Sequence, residues 1–116
     1  MGRKRYILSQ RHQVVHNRLI QFACKVLGRS PKTAKDYTET LERYLPRFMK
    51  NAMHINNSVD SVYDIINLDY LQFLHDSICN NENWNQYNKH SHASTFTSGL
   101  KCYIKFIQSE YYPYKL

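Results

Sequence analysis

Three clusters of hydrogen-bond donors define the chemistry open to this chain. Arg3, Lys4 and Arg5 stand near its start, Lys32, Thr33 and Lys35 in its first third, and Lys89, His90 and His92 nearer its end, followed by Ser94, Thr95 and Lys101. Thr40 and Arg43 extend the middle cluster. Lys and Arg supply a salt-dependent attraction to phosphate, while Ser, Thr and His hydrogen-bond phosphate oxygens or base edges. Residues of this kind in clusters suit a polyanion, and double-stranded DNA is the expected partner.

Other chemistry finds less support. His12 and His16 are four apart, as are His75 and Cys79, and His90 and His92 flank Ser91. Zinc wants four ligands, usually in close pairs, whereas these pairs come from distant segments without finger spacing. No metal and no cofactor is expected, and His75 reads as a helix-surface residue with Cys79 in the core. The sequence contains no Gly-rich phosphate loop, no Gly-x-Ser-x-Gly elbow and no His-Glu-x-x-His. Cys24, Cys79 and Cys102 are odd in number, widely spaced and set among apolar residues, so buried reduced thiols are expected.

Charge is unevenly distributed. The net charge of +7 divides into 12 Lys/Arg against 3 Asp/Glu in residues 1–50, for +9, and 4 against 6 in residues 51–116, for −2. Cations concentrated in one half give the chain a face for nucleic acid. At 116 residues there is room for one domain, and an apolar fraction of 42% with ten Tyr argues for a packed core over disorder. No apolar run reaches the roughly 18 residues of a membrane span, and the basic start turns polar at Ser9 without a signal-peptide core. A cytoplasmic protein is expected, nucleoid-associated if the source is bacterial.

The clusters must be positioned by helices. Residues 30–50 show this best: Ser30 is a helix cap, Pro31 suits the first helical position, and Ala34, Tyr37, Leu41, Tyr44, Leu45 and Phe48 recur at three- and four-residue steps. Lys32, Lys35, Arg43, Arg47 and Lys50 fall off that stripe, and Pro46 is expected to kink or shorten the helix. A first helix is expected over 9–27, with Val15, Leu19, Phe22, Ala23 and Val26 inward and Gly28 ending it. Residues 61–65 suggest a short helical turn. Asn67 caps a third helix with Leu68, Leu71, Leu74 and Ile78 inward. The last helix is expected over 91–111, buried through Ala93, Phe96, Leu100, Tyr103, Ile104 and Ile107, with Pro113 closing it. The expected fold is all-α, a bundle of four main helices, with a basic arm over residues 1–8 and a single helical domain over 9–116.

Thr33, Tyr37 and Leu41 in the Ser30 helix resemble the Thr-x3-Tyr-x3-Leu pattern in the core-binding domain of tyrosine recombinases, the phage integrases. The stretch from Asn88 to Phe96, continuing through Leu100, Tyr103 and Ile107, looks like the last helix of such domains. The two segments cover about half the chain. The resemblance implies a SAM-like four-helix fold that clamps DNA, with the starts of the second and last helices brought to one end or side. Carried onto this sequence, it singles out Lys32, Thr33, Lys35, Thr40 and Arg43 on one helix, and Lys89, His90, His92, Ser94, Thr95 and Lys101 on the other. The family's catalysis belongs to a separate domain with an Arg–Lys–His/Trp–Arg set and a nucleophilic Tyr. No such set precedes Tyr111, Tyr112 and Tyr114, so no enzyme is expected in this chain. Those tyrosines are expected to pack the last helix or a neighbouring copy. The sequence departs from the family at Pro46, and Asp36, Glu39 and Glu42 are expected to offset part of the second helix's outer charge. DNA integration and recombination in a mobile element, either alone or within a larger recombinase or nuclease, is the implied setting. A helical adaptor that meets protein is the alternative, although it does not require the cation-rich half.

Overall fold

Side-chain caps start the helices where the sequence places them. Ser9 accepts the His12 N–H, Ser30 the Thr33 N–H and Asn67 the Tyr70 N–H, at 2.9–3.1 Å, each satisfying a donor that has no partner inside its helix. A computed structural model of the chain describes residues 8–51, 61–80 and 93–114, apart from the side chains of Asn51 and residues 93–96. In order, the elements are α1 (Gln10–Lys25), α2 (Pro31–Glu39), a π-helical turn (Thr40–Tyr44), α3 (Leu45–Asn51), a 3₁₀ turn (Val62–Asp64), α4 (Leu68–Cys79) and α5 (Ala93–Ile107). The α2–π turn–α3 stretch is one interrupted rod, so the described residues form four main helices with no strand. The fold is all-α, and its radius of gyration of 13.7 Å is close to the roughly 13 Å of a compact domain of this length.

Pro46 shapes the second rod by acting upstream. Proline has no N–H to give the carbonyl of Glu42, and its ring crowds that carbonyl. The backbone answers by widening: the Leu45 N–H bonds back to the Thr40 carbonyl, a five-residue step. The helix is thus neither ended nor sharply shortened. It gains a turn in which Thr40, Leu41 and Glu42 are all buried.

The core contains Val15, Leu19, Phe22, Ala34, Tyr37, Leu41, Leu45, Phe48, Leu71, Leu74, Ile78, Leu100, Tyr103 and Ile107, while Tyr44, Leu68 and Ile104 are partly covered. Two expected inner positions differ. Val26 is 52% exposed, because α1 ends at Lys25 and the chain turns away through Gly28 at φ +69°. Cys79, at the last residue of α4, is exposed, whereas His75 one turn earlier is half-buried. All three thiols are free, but only Cys102 is fully buried. Ala93 and Phe96 lie where side chains are not described. Helix α5 ends at Ile107, short of the expected 111, because Ser109 Oγ donates to the Phe106 carbonyl at 2.7 Å and tight backbone bonds to Lys105 and Phe106 close the last turn.

The C-terminal tyrosines fold back onto their own chain. Tyr111 packs edge-on against Phe22, with Arg18 over its ring and donating to its carbonyl at 2.9 Å. Tyr112 meets Phe106 edge-on, and Tyr114 lies under the Arg11 guanidinium at 4.3 Å.

Two glycines carry opposite expectations. A Cβ on Gly99 would meet Tyr37 Cδ1 at 3.5 Å, Tyr37 Cα at 3.6 Å and Thr40 Cγ2 at 3.7 Å, all ordinary contacts. Gly99→Ala should therefore raise stability by about 0.5–1 kcal/mol through helix propensity. Gly28→Ala meets no neighbour but forces a left-handed backbone, and should cost about 1 kcal/mol. Urea midpoints that move the same way for both variants would contradict this packing.

Candidate nucleic-acid interface

Gly99 lets α5 lie close against the second rod, and three contacts give their relative direction. Gly99 faces Tyr37 and Thr40, the buried Cys102 thiol feels the charge of Arg29, and Phe106 packs on Phe22 with ring centroids 5.7 Å apart. As α5 advances from 99 to 106 it therefore runs towards the α1–α2 corner. The two helices are antiparallel, so the start of α5 lies towards the π turn, away from the start of α2. Among the described residues the starts of α2 and α5 therefore do not share an end, with Phe106 in the C-terminal half of α5 covering Phe22 near the end of α1.

The middle cluster divides by burial. Lys32 and Lys35 are exposed, and Lys32 reaches Asp36 one turn on at 3.8 Å, a surface pair of little energetic weight. Thr33 is half-buried in the cap, its hydroxyl accepting from Ser30 Oγ at 3.0 Å. Arg43 is half-buried with its guanidinium 5.8 Å from the Tyr44 ring centre. Thr40 is only 2% exposed, walled by Gly99, and cannot reach DNA. Lys101 is exposed on α5. Ser94 and Thr95 lie in α5 without described side chains, and Arg3, Lys4, Arg5, Lys89, His90 and His92 lie outside the described residues.

The structure adds two cations that the motif reading missed. Arg29 and Lys105 are exposed, and both are near enough to Cys102 to favour its thiolate. They set the α1–α2 corner, three residues before Lys32 in the chain, and the far half of α5, one turn on from Lys101, around Cys102. The four-residue spacing of Lys101 and Lys105 was visible in the sequence. Arg29 was not legible as their neighbour, because only the antiparallel packing brings it there.

Glu42 is the largest departure from expectation. It does not lie on the outer face. The π turn carries it inward, where its side chain is 1% exposed. Its Oε2 accepts from the Tyr63 hydroxyl at 2.6 Å and from His16 Nδ1–H at 2.5 Å. One turn earlier on α1, His12 Nε2–H donates to Asp64 at 2.7 Å, and its ring packs edge-on against Tyr63. Two histidines four apart thus tie α1 to the π turn and the 3₁₀ turn. Tyr103 continues the set, donating to the Ile65 carbonyl at 2.9 Å. Among the described residues no three His, Cys, Asp or Glu side chains converge as a metal site would require.

Burial has an alkaline consequence. It pushes the Cys102 thiol from 9.0 up to about 12, against the opposing pull of Arg29 and Lys105. Burial, aided by Tyr112 and Asp64, also raises Tyr103, against the pull of Arg11. An unfolded chain sheds the Cys102 proton near pH 9 while the folded chain keeps it. That contribution is complete below pH 9 and is lost as pH rises towards 12, by up to about 1.4 kcal/mol per unit, with Tyr103 adding loss from about pH 10. The urea midpoint should fall between pH 8 and 10.5, and less so in Cys102→Ala. Equal midpoints at the two pH values would contradict the assigned burial.

No family model, no curated protein and no solved structure matches the chain. Among the described residues no helix is long and apolar enough to cross a membrane.

Proposed function

We propose that the chain is a non-catalytic module that binds double-stranded DNA, of the core-binding kind that Thr33, Tyr37 and Leu41 resemble. One observation carries the reading: seven cations of the described residues up to 50 stand exposed and no acid there does. Arg11, Lys25, Arg29, Lys32, Lys35, Arg47 and Lys50 are exposed, whereas Arg18, Arg43, Asp36 and Glu39 are partly covered and Glu42 is enclosed. An excess of exposed cations, with Glu42 enclosed, produces a positive surface field suited to phosphate.

The proposed surface is centred on the α1–α2 corner and the outer face of α5, with Arg29, Lys32, Lys35, Lys101 and Lys105 as phosphate contacts. Lys89, His90 and His92 and the Arg3–Lys4–Arg5 arm are further proposed contributors from outside the described residues. The proposed setting is the cytoplasm, on the nucleoid in a bacterial host, in the integration chemistry of a mobile element. The test is fluorescence anisotropy of a labelled duplex with wild type and an Arg29→Ala, Lys32→Ala, Lys105→Ala variant. Affinity should fall by roughly tenfold or more in the variant. Equal affinity would remove this surface from the proposal.

A further inference from the structure

The outer face of α4 differs from the rest of the molecule. Residues 61–80 contain no Lys or Arg. Asp69, Gln72, Phe73, Asp76 and Asn80 are all exposed, at the three- and four-residue steps that put them on one face. Phe73 stands at its centre, 59% exposed, with the half-buried Tyr70 ring 6.1 Å away and Ile66 exposed before the helix. Asp69 lies one turn before Phe73 and Asp76 one turn after. Gln72 Nε2 donates to Asp76 at 3.1 Å and holds that carboxylate in place.

Two aspartates flank the aromatic without a Lys or Arg between them, and His75 Nδ1 lies 3.5 Å from Asp76, so the face favours a cation over phosphate. An exposed aromatic inside a charged rim is instead how protein interfaces present an anchor. We infer that this face docks a basic amphipathic helix of a partner protein, whose aliphatic stripe covers Phe73 and Tyr70 while its Lys or Arg residues pair with Asp69 and Asp76. Charge complementarity selects the sign of the partner. The stripe runs along α4, so a second helix can lie in the grooves beside it. A second copy of this chain is disfavoured, since two bodies of net charge +7 repel. A single helix face buries little area, so the contact belongs to the small, transient class. The basic surface proposed for DNA is not used, and the two readings stand or fall separately.

The test uses the full chain and a labelled, amidated Leu/Lys amphipathic peptide of roughly 18 residues, with a Leu/Glu peptide of the same pattern as control. Wild type should bind the Leu/Lys peptide and not the control. Phe73→Ala and an Asp69→Asn, Asp76→Asn double variant should each weaken binding by at least about tenfold. Phe73→Ala substitutes an exposed uncharged residue, so it should retain the wild-type urea midpoint and duplex affinity. Equal peptide affinity for wild type and Phe73→Ala would overturn the inference, as would no binding of the Leu/Lys peptide at all. Self-association of the free chain in sedimentation, abolished by Phe73→Ala, would overturn it in favour of a second copy.

Discussion

Leu100→Ala should lower stability by about 2–5 kcal/mol, among the largest losses available to a single substitution in this chain. Leu100 is fully enclosed, next to the Gly99 contact where α5 lies on Tyr37 and Thr40. Truncation removes apolar area and leaves a hole between two rods whose backbones are already close and cannot easily collapse into it. Tyr37→Ala, from the other side of the same junction, should fall in the same range. Lys35→Ala, exposed on the outer face, should stay within about 0.5 kcal/mol. Urea unfolding of the three variants gives the comparison. Similar midpoints for all three would mean that the inside and outside of the second rod are wrongly assigned.

Glu42→Ala should cost about 2–4 kcal/mol, although a carboxylate on a helix of a basic protein looks dispensable. Its loss takes the acceptor from the almost wholly buried Tyr63 hydroxyl and from His16. Glu42→Gln keeps an acceptor oxygen of the same reach and should cost markedly less. Tyr63→Phe removes one donor and should cost about 1–2 kcal/mol. The same substitutions separate two positions for Glu42. An acid on the outer face would oppose DNA, so its neutralisation would tighten duplex binding. From the interior, Glu42→Gln should leave duplex affinity unchanged. A Glu42→Ala midpoint within about 0.5 kcal/mol of wild type would contradict the buried position.

The error over Glu42 shows how far the sequence could be read. The caps at Ser9, Ser30 and Asn67 and the stripe from Ala34 to Phe48 were legible, because capping and the 3.6-residue period are local. Pro46 was recognised as a disturbance, yet the form of its effect was not: a π turn shifts the register and buries three consecutive residues, which an α-helical period cannot anticipate. Thr40 is buried for the same reason. Periodicity points Val26 and Cys79 inward, yet it says nothing about where a helix stops being covered, and both are exposed. The direction of α5 against α2 depends on the close approach at Gly99 and on Phe22 needing Phe106, both long-range facts. For the proposed interface, the individual cations were readable as residue types. The company they keep was not, and Arg29 with Lys105 emerges only from the packing.

The most direct test of DNA binding by the basic surface is a salt titration of duplex affinity. It compares wild type with the Arg29→Ala, Lys32→Ala, Lys105→Ala variant, using duplexes of unrelated sequence. Phosphate contacts release counterions, so the wild-type log–log slope should be steeply negative, about −0.9 per phosphate neutralised. In the variant it should flatten by about one unit per contacting cation removed, equally for every duplex. Identical slopes for the two proteins, or no duplex binding by wild type at low salt, would contradict the account.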